Sequence, residues 1–588
     1  MEKWFIKNKA TSPKKISEDF KISELISKLL INRDIIDYEL IDSFIYPDLD
    51  KLHSPKLMKD LIKGTNIIKN KIKNKEKIRI IGDYDVDGVI SVYLLYTGIK
   101  KCGGDVDYVI PNRIEDGYGI NKEIIKLSKY EGIDTIITCD NGISAIEEIQ
   151  YAKELGLTVI VTDHHDVPFI INKDEEIEYL ILQADAVINP KQIDCNYPFT
   201  KLCGAGIAFK FIQELYYNLG IPIESTYELL EYTAIATVCD VVDLVDENRI
   251  IVKKGLELLD KTRNIGLKAL KKETGIEDKK LSVYHLGFVI GPSINASGRL
   301  DSAIKALELL LSENLDEATR LAKELKELND ERKKMTNDGV EVIIENIENS
   351  NIKEDRVLVI YEPTIHESIA GIIAGRIKEK YHKPTIVLTQ GKDGVKGSGR
   401  SIEDYNMFEE LTGCKEFLNR FGGHPMAAGL SLDIKNIDNL RERLNQRTTL
   451  TEDDLIPKVY IDMQLALENI SFELLNELKI LEPFGKGNSK PIFGEKGLRL
   501  RRGSVLGVNK NVLKLILESK NRKTIEGLYF GDIISFENKV IEFYGKTELD
   551  KLYQGIDNNI KMDILYYPSV NEYMGRSTLQ AVIQSFRF

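Results

Sequence analysis

Short apolar runs, each followed closely by acidic or histidine side chains, constrain the fold of this chain more than any other feature of its sequence. Between about residues 77 and 244 these runs alternate with amphipathic segments of helical period, for example 121–130 and 144–155. Such alternation is typical of βαβ units that build a parallel sheet. Four of these runs are predicted to be strands, and each is followed by acidic or histidine side chains. They are 78–81 with Asp83, Asp85 and Asp87; 135–139 with Asp140; 159–162 with Asp163, His164 and His165; and 235–239 with Asp240.

In an open parallel sheet, ligands bind in the crevice beyond the carboxyl ends of the strands. We therefore expect the four clusters to meet at one edge of the sheet. Three aspartates on alternate residues after the first run repel one another unless a cation or an arginine neutralises them. Several carboxylates with imidazole suit manganese or a similar divalent cation. Taken singly, each cluster has a simpler interpretation as a solvated loop, a turn or a structural histidine, and Asp243 could replace Asp240 as a ligand.

Length and composition limit the class of protein. A chain of 588 residues is too long for one hydrophobic core, so three or four domains are expected. No apolar stretch is long enough for a membrane span, and residues 1–8 do not begin a signal peptide, so a cytoplasmic location is expected. The six cysteines form no C-x-x-C pair and indicate no zinc ribbon. The net charge of −12 neither supports nor excludes a nucleic-acid substrate, since only local Lys and Arg contact phosphates.

Changes of pattern divide the chain into five predicted segments. Residues 1–72 read as a helical lead-in, and 73–248 as the parallel-sheet domain. Residues 249–348 are predicted to be helical; they end in a connecting helix that Gly339 is expected to interrupt. A smaller α/β domain is predicted at 349–452, with strands at 356–360 and 384–388 and a helix at 368–380. Short alternating runs at 459–461, 498–502, 513–517, 525–530 and 540–544 predict an all-β, OB-like barrel over 453–588.

The motifs together resemble a known family. Asp163-His164-His165 is the triplet for which the DHH phosphoesterase superfamily is named. Its place after Asp-Tyr-Asp-Val-Asp-Gly and Asp-Asn-Gly resembles the RecJ branch, which are bacterial exonucleases specific for single-stranded DNA. Further RecJ-like motifs are 111–113, 117–119, 291–299, 397–401 and 421–424. The resemblance runs from Trp4 to the final barrel, and it implies that 73–248 is the DHH catalytic domain, 349–452 the DHH-associated domain and 453–588 an OB-like nucleic-acid-binding domain.

The resemblance also implies roles for particular side chains. The implied metal ligands are Asp83, Asp85, Asp140, His164 and Asp240, and the implied catalytic set is Asp140, His164, His165 and Asp87. The implied substrate contacts are Arg113, Tyr118, Asn295, Arg299, Ser398, Arg400 and His424, with Arg113, Arg299, Ser398 and Arg400 on the 5′-terminal phosphate and Tyr118 against a base. One departure is Ser293, where RecJ proteins usually carry arginine, so one phosphate contact or ion pair of the family would be missing.

The residue types in these motifs support phosphate binding independently. The guanidinium fork of arginine donates two parallel hydrogen bonds to a phosphate. Residues 397–401 are predicted to form a flexible loop whose N–H groups could bind an anion, or else an ordinary turn with a solvated Arg400. His424 follows two glycines and could donate to a phosphate oxygen or be structural. Positive charge in the predicted barrel would come from Arg501, Arg502, Lys510, Lys514, Lys520 and Lys523.

These expectations describe a metal-dependent 5′→3′ exonuclease that degrades single-stranded DNA to 5′-mononucleotides in recombination and repair. Two ions, Mn²⁺ or Mg²⁺, would share a bridging carboxylate, Asp140, and stabilise the attacking and leaving oxygens. The expected enzyme is a monomer that does not bind membranes and that works with a helicase and a single-strand-binding protein. The alternatives are a phosphodiesterase for short or cyclic oligonucleotides, a pyrophosphatase or polyphosphatase, and a non-catalytic replication scaffold. The additional barrel favours a long polymer, and the filled ligand positions argue against a scaffold.

Overall fold

The computed structural model describes residues 2–117, 119–171, 177–392, 394–507, 509–573 and 575–588. The chain forms two compact units. The first joins Met1–Asp48 to Lys458–Phe588, and the second comprises Leu49–Pro457. Among the described residues, no helix is both long enough and apolar enough to cross a membrane.

Strands and helices are numbered along the chain. The strands are β1 (Lys3–Ile6), β2 (Lys77–Ile81), β3 (Asp105–Val109), β4 (Thr135–Cys139), β5 (Thr158–Thr162), β6 (Phe169–Ile171), β7 (Ile177–Tyr179), β8 (Ala186–Ile188), β9 (Leu358–Tyr361), β10 (Thr385–Gly391), β11 (Gly394–Arg400), β12 (Arg420–His424), β13 (Ala427–Leu432), β14 (Lys458–Ile461), β15 (Met463–Gln464), β16 (Phe493–Leu506), β17 (Val512–Glu518), β18 (Thr524–Tyr529), β19 (Lys561–Tyr573) and β20 (Arg576–Arg587). The helices are α1 (Pro13–Phe20), α2 (Glu24–Ile31), α3 (Tyr38–Ile45), α4 (Leu61–Asn74), α5 (Val86–Lys101), α6 (Lys122–Tyr130), α7 (Ile146–Glu154), α8 (Gly204–Asn218), α9 (Leu230–Cys239), α10 (Asp246–Leu259), α11 (Ile265–Glu273), α12 (Val283–His285), α13 (Gly291–Leu300), α14 (Ile304–Leu311), α15 (Leu315–Glu348), α16 (Ala370–Tyr381), α17 (Met407–Thr412), α18 (Ile437–Arg447), α19 (Phe472–Leu478), α20 (Ile533–Tyr544) and α21 (Lys546–Gln554).

A parallel five-stranded sheet in the order β3-β2-β4-β5-β8 forms the core of the second unit. Its strands are apolar on both faces because both faces are covered: Ile80 and Ile137 pack into one core, Ile136 and Val161 into another. The chain places β3 on one side of β2 and β4 on the other. That gap between β2 and β4 is the topological switch point at which such sheets bind ligands. The predicted strands 78–81, 135–139 and 159–162 are confirmed as β2, β4 and β5.

The fourth predicted strand, 235–239, is wrong, because these residues lie in helix α9. Every residue from Leu230 to Thr237 is buried, so the run has no apolar–polar period that could distinguish a buried helix from a buried strand. The hydroxyl groups of Thr233 and Thr237 each donate to the carbonyl four residues earlier, at 2.9 and 2.7 Å, which satisfies them inside the helix. Asp240 therefore follows a helix rather than a strand.

The connecting helix α15 is continuous over 34 residues, so the expected interruption at Gly339 is wrong. Gly339 is buried in this helix. A Cβ at this position would lie only 2.6 Å from Cδ1 of Ile373 in α16. The glycine therefore allows two helices to pack closely, and it does not end either of them.

The second α/β region contains a mixed sheet in the order β12-β13-β11-β10-β9. The predicted strands at 356–360 and 384–388 correspond to β9 and β10. The predicted flexible loop at 397–401 is wrong, because Gly397 to Arg400 belong to β11, which pairs with β10 and β13. A Cβ on Gly397 would lie 2.4 Å from Cδ2 of Leu388, and one on Gly399 would lie 3.0 Å from Sδ of Met407. These glycines therefore serve close packing against the core.

The first unit contains a closed barrel. Its strands follow the order β16-β17-β18-β20-β19, and pairing of β19 with β16 closes the ring. Strand β1 pairs in parallel with β14 of the same unit. The predicted strands at 513–517 and 525–530 are confirmed to within one residue as β17 and β18, and 498–502 lies within the longer strand β16, whereas the predicted strand 540–544 lies in α20. Five residues span little more than one helical turn, so an alternating pattern that short does not separate the two periods.

Candidate metal centre and anion cleft

Acidic and histidine side chains from four segments of the second unit converge at the switch-point edge of its parallel sheet. They form three groups whose possible ligand atoms lie within 4.8 Å of one another. The groups are Asp83, Asp85 and Asp140; Asp140, His164 and His165; and Asp87, His164 and Asp240. Because Asp140 and His164 each belong to two groups, the seven side chains make one continuous cluster, which we call the metal centre.

Backbone N–H groups at the starts of two helices fix two of the aspartates that follow β2. Asp85 is the N-cap of α5, and its Oδ1 accepts from the N–H groups of Asp87 and Gly88 at 2.9 and 3.0 Å. The two oxygens of Asp87 accept from the first N–H groups of α8, those of Gly204 and Ala205, at 2.6 and 2.8 Å. Two helix N-termini therefore hold these carboxylates in place, and their partial positive charge partly offsets the carboxylate charge.

Asp140 follows β4 directly and lies at the centre of the cluster. Its backbone is left-handed, with φ of 60°, a conformation that aspartate adopts more readily than most residues. A Cβ on Gly204 would lie 2.7 Å from Cβ of Asp140, so glycine at the start of α8 permits this approach. Nε2 of His164 lies 3.1 Å from Oδ1 of Asp140 and 3.7 Å from Oδ2 of both Asp87 and Asp240.

Asp163 orients both histidines of the triplet. Its Oδ1 accepts from the backbone N–H groups of His164 and His165 at 2.7 and 3.0 Å and lies 2.7 Å from Nδ1 of His165, while its Oδ2 accepts from the N–H of Ile143 at 2.9 Å. Burial alone would raise the pKa of Asp163, but the hydrogen bond and charge of His165 lower it. Burial alone would lower the pKa of His165, but its bond to Asp163 raises it to about 9. His165 is therefore protonated near neutral pH.

The structure distinguishes the two candidate aspartates after α9. Asp240 is the C-cap residue of α9 and belongs to the metal centre. Asp243 instead lies 2.5 Å from Nζ of Lys201, at the surface. The geometry thus favours Asp240 as the ligand.

The metal centre concentrates negative charge away from solvent. Burial, followed by repulsion from neighbouring aspartates, raises the pKa of Asp83, Asp140 and Asp240 well above the usual range. Burial lowers the pKa of His164, which favours the neutral imidazole, the form that binds metals. Within the described residues, Oδ1 of Asp83, Nε2 of His164 and Oδ2 of Asp240 are buried without a hydrogen bond. Buried polar atoms rarely lack a partner, and this oxygen-rich donor set fits Mn²⁺ or Mg²⁺.

A cleft of about 650 Å³ opens beside the metal centre. Tyr84, the residue between Asp83 and Asp85, lines it, so the cleft and the metal centre share the turn after β2. The side chains predicted to hold a terminal phosphate, Arg113, Arg299, Ser398 and Arg400, all line this anion cleft. The structure therefore brings them together next to the carboxylate cluster, although they come from three separate segments of the chain.

The arginines of the anion cleft are held by neutral groups. Nη1 of Arg299 donates to the carbonyl of Ser368 at 2.7 Å. Nη1 of Arg400 donates to Oγ of Ser398 at 3.0 Å, and the guanidinium of Arg113 lies 4.9 Å from the ring centroid of Tyr84. Burial, and then the charge of Arg113, lowers the pKa of Arg299 to about 10 and also lowers that of Arg400. Buried positive charges that destabilise one another favour binding of an anion such as phosphate.

Sequence reasoning missed Gly371, which lies in the first turn of α16 in this cleft. A Cβ on Gly371 would lie 2.7 Å from Nη2 of Arg400 and 2.8 Å from Oγ of Ser398. Only the fold reveals this constraint, since the helix and β11 are far apart in sequence. Ser293, the position at which the sequence resemblance implied a departure from the family, is buried and donates to the carbonyl of Val289 at 2.8 Å.

Three predicted substrate contacts differ from the others. Tyr118 lies outside the described residues. Oδ1 of Asn295 accepts from the backbone N–H of Val86 at 3.1 Å, so this side chain supports the turn of the metal centre. His424 is exposed on β12, its Nδ1 accepts from the N–H of Met426 at 3.3 Å, and it is not among the residues that line the anion cleft.

Two of the cations predicted in the barrel are paired. Arg501 forms a fork with the carboxylate of Glu518, at 2.7 and 2.8 Å, and lies 2.7 Å from Asp557. Lys514 lies 2.6 Å from Glu526 of the neighbouring strand. Their charges are therefore largely used within the barrel.

Sequence models of three domains match the chain. They are the DHH family, N-terminal domain at residues 77–237, the DHHA1 domain at 354–449 and the RecJ OB domain at 461–585. The first covers the metal centre apart from Asp240, and the second covers the part of the anion cleft on β11 and α16. The fold and the site thus define a multidomain protein of the DHH class.

Individual relatives narrow this assignment. The single-stranded-DNA-specific exonuclease RecJ of Bacillus subtilis (strain 168) is 36% identical over 97% of this chain and 69% of the relative. The protein of the same name from Salmonella typhimurium is 33% identical over 88% of this chain and 89% of the relative. The crystal structure of RecJ in complex with Mn²⁺ from Thermus thermophilus matches with a TM-score of 0.80 and 25% identity, covering 100% of this chain and 79% of that one. The chain belongs to the RecJ family.

Proposed function

We propose that this protein is a metal-dependent exonuclease that degrades single-stranded DNA from the 5′ end to 5′-mononucleotides. The observation that carries the proposal is the shared turn after β2, which places Asp83 and Asp85 in the metal centre and Tyr84 in the anion cleft. A phosphodiester at the metal centre and a terminal phosphate in the anion cleft would then belong to adjacent positions of one strand. The relatives named as single-stranded-DNA-specific exonucleases support the same substrate.

The metal centre would hold two divalent cations, Mn²⁺ or Mg²⁺. Asp83, Asp85 and Asp140 would bind one ion, and Asp87, His164 and Asp240 the other, with Asp140 as the carboxylate between them. When bound, such ions lower the pKa of a water and stabilise the attacking and leaving oxygens of an in-line displacement. The RecJ structure from Thermus thermophilus contains Mn²⁺, which supports this choice of metal.

The anion cleft would determine polarity. Arg113, Arg299 and Arg400, with Ser398, would bind the 5′-terminal phosphate and so fix which phosphodiester reaches the metal centre. A strand that enters from an internal position has no terminal phosphate to place there. The arrangement therefore favours an exonuclease over an endonuclease.

His165 would supply the proton that the leaving group needs. Hydrolysis to 5′-mononucleotides breaks the bond between phosphorus and the 3′-oxygen of the terminal nucleotide, and that oxygen must take a proton. His165 is protonated near neutral pH and is held at Nδ1 by Asp163, so its Nε2 can donate. Asp163 acts as a positioning residue for this step.

The barrel of the first unit would bind nucleotides farther from the bond that is cleaved. The match to the RecJ OB domain supports this role. We further propose that the enzyme acts as a monomer in the cytoplasm, in DNA recombination and repair. In that setting a helicase and a single-strand-binding protein would deliver its substrate.

The test is a manganese-dependent assay on 5′-labelled single-stranded DNA, compared with duplex DNA, RNA, dinucleotides and pyrophosphate. Release of labelled mononucleotide from single strands is expected, with little release from duplex. Preferred hydrolysis of dinucleotides or pyrophosphate would favour a different phosphoesterase. Absence of hydrolysis of every substrate, with DNA binding retained, would point to a scaffold.

A further inference from the structure

Two stacked aromatic side chains, Tyr284 and Phe288, are exposed in the second unit. Tyr284 is 62% and Phe288 66% exposed. Their ring centroids lie 5.1 Å apart with an interplanar angle of 21°. Phe288 belongs to the π-helical turn Leu286–Ile290, and π turns within helices are frequently found at functional sites. Such a pair offers a flat aromatic surface to a ligand.

The pair continues the helix face that leads into the anion cleft. From α12 through the π turn to α13, the less buried side chains include Tyr284, Phe288, Pro292, Asn295 and Arg299, at intervals of three or four residues. Residues at this spacing lie on one face of a helix. Arg299 at one end of that face lines the anion cleft, and the aromatic pair lies at the other end.

The middle of the same helix lies alongside the metal centre. Asn295 accepts a hydrogen bond from Val86, within the turn that carries Asp85 and Asp87. A Cβ on Gly291 would lie 2.2 Å from Sγ of Cys239, the residue before Asp240. The order along the helix is therefore anion cleft, metal centre, aromatic pair. At 1.5 Å per residue, Phe288 and Tyr284 are about 16 and 22 Å along the axis from Arg299.

We propose that Tyr284 and Phe288 form a stacking platform for bases on the 3′ side of the phosphodiester that is cleaved. This inference rests on the proposed function and extends it to the nucleotides that remain bound after cleavage. A 5′ phosphate at Arg299 and a scissile phosphate at the metal centre direct the rest of the strand along this helix face towards the pair. Bases stack on aromatic rings whatever their sequence, and each such contact is worth about 1–3 kcal/mol. A duplex, whose bases are already stacked and paired, could not use the platform in this way.

The first experiment separates long substrates from short ones. We compare wild type with Tyr284→Ala/Phe288→Ala on a 5′-phosphorylated single-stranded 12-mer and on a 5′-phosphorylated dinucleotide, with Mn²⁺. KM for the 12-mer should rise about tenfold or more with little change in kcat, whereas hydrolysis of the dinucleotide, which is too short to reach the pair, should stay within about twofold. Tyr284→Trp/Phe288→Trp should restore KM.

The control is Tyr130→Ala/Tyr217→Ala, which removes two other exposed tyrosines. They lie at the C-terminal ends of α6 and α8. The first N–H groups of α8 face the metal centre, so Tyr217 is at the opposite end of that helix. The control should leave KM for the 12-mer unchanged. A 12-mer KM within about twofold of wild type in Tyr284→Ala/Phe288→Ala would overturn the platform.

The second experiment detects stacking without turnover. 2-Aminopurine is placed singly at positions 2 to 6 of the 12-mer and bound to Asp140→Asn protein, with and without the two alanines. Quenching at one or more of these positions, lost on alanine substitution, supports the platform, and identical fluorescence at all five overturns it. If wild type hydrolyses no DNA, the proposed function fails by itself, while this fluorescence result still decides whether the pair stacks on bases.

Discussion

The charges of the metal centre and anion cleft contrast with the charges of the barrel. In the second unit, Asp83 and Asp240 each bury an oxygen without a hydrogen bond within the described residues, and Arg299 and Arg400 are held by neutral acceptors. In the barrel, Arg501 is fully engaged by carboxylates. Both regions are rich in charge, but buried charged groups of the first are left for a ligand to satisfy, whereas Arg501 of the barrel is already paired with carboxylates. Uncompensated buried charge thus identifies the site better than the number of charged residues does.

The largest effect should come from the carboxylate at the centre of the cluster. Asp140→Asn keeps the shape of the side chain but removes the charge between the two proposed ions, so turnover should fall at least about a thousandfold while the fold survives. Single-turnover hydrolysis of single-stranded DNA with Mn²⁺ measures this, and circular dichroism checks folding. The matched control is Asp243→Asn, whose carboxylate is paired with Lys201 at the surface. Equal activity of the two variants would contradict the claim that a carboxylate in the metal centre matters more for turnover than one already paired with a lysine.

Metal should stabilise the second unit, and more so at higher pH. In the metal-free protein the pKa values of Asp83, Asp140 and Asp240 are raised, so the protonated carboxyl groups stabilise the folded state at low pH. This contribution to the free energy of unfolding is lost as pH rises through the raised pKa values. Mn²⁺ binds the ionised form, so the increase in Tm that it causes should be larger at higher pH, where protons compete less with the ion for these carboxylates. At a free concentration 100 times Kd, one site contributes about 2.7 kcal/mol.

Calorimetric scans with Mn²⁺ and with EDTA measure this effect of metal on stability. Asp140→Asn serves as the control, and most of the increase should disappear in it. A Tm that does not respond to metal at any pH would contradict the metal centre.

Arg400→Ala should weaken recognition of the 5′ phosphate. Loss of a charged hydrogen bond to phosphate costs about 1.5–3 kcal/mol, so the preference for 5′-phosphorylated over 5′-hydroxyl DNA should fall roughly 10- to 100-fold in kcat/KM. The Mn²⁺ affinity should be unchanged because Arg400 is not part of the metal centre. Arg420→Ala, an exposed residue of β12 in the same sheet, is the control. Equal cleavage of 5′-phosphorylated and 5′-hydroxyl DNA by the wild-type protein would contradict this role of Arg400.

The smallest effect should come from the paired cations of the barrel. Arg501→Ala/Lys514→Ala removes side chains already bound to carboxylates, so the Kd for long single-stranded DNA should change less than about threefold. Lys510→Ala/Lys520→Ala removes two exposed lysines and should weaken binding more, with a shallower dependence on salt concentration. Fluorescence anisotropy at several salt concentrations measures both. A larger loss of DNA affinity in Arg501→Ala/Lys514→Ala than in Lys510→Ala/Lys520→Ala would mean that a cation paired within the barrel can still bind DNA.

The sequence predicted the parts of the fold that depend on local pattern. Strands β2, β4 and β5 are short, apolar and β-branched, and each is followed closely by a charged residue, so their positions and their common edge were predictable. The helices α9 and α20 were not, because a uniformly buried run and a five-residue window carry no usable period. Asp240 was still predicted as a ligand, although from a strand that does not exist.

Features of the site that depend on distant contacts could not be predicted. The position of Gly371 beside Arg400 has no signal in the local sequence. The glycines of 397–401 indicated flexibility, but packing of β11 against Leu388 and Met407 explains them. Such constraints arise only when separate segments meet, and an isolated motif does not reveal them.

The pairing of β1 with β14 affects how the protein is made. About 450 residues separate these two strands, and at about 5–20 residues per second a ribosome needs roughly 20 to 90 seconds to cover that interval. Until then Ile26, Leu29 and Leu30, which share one core with the barrel strands, have no such core to join. The first unit therefore completes its folding only after its later strands have been made, and its early apolar helices lack their native core in the meantime.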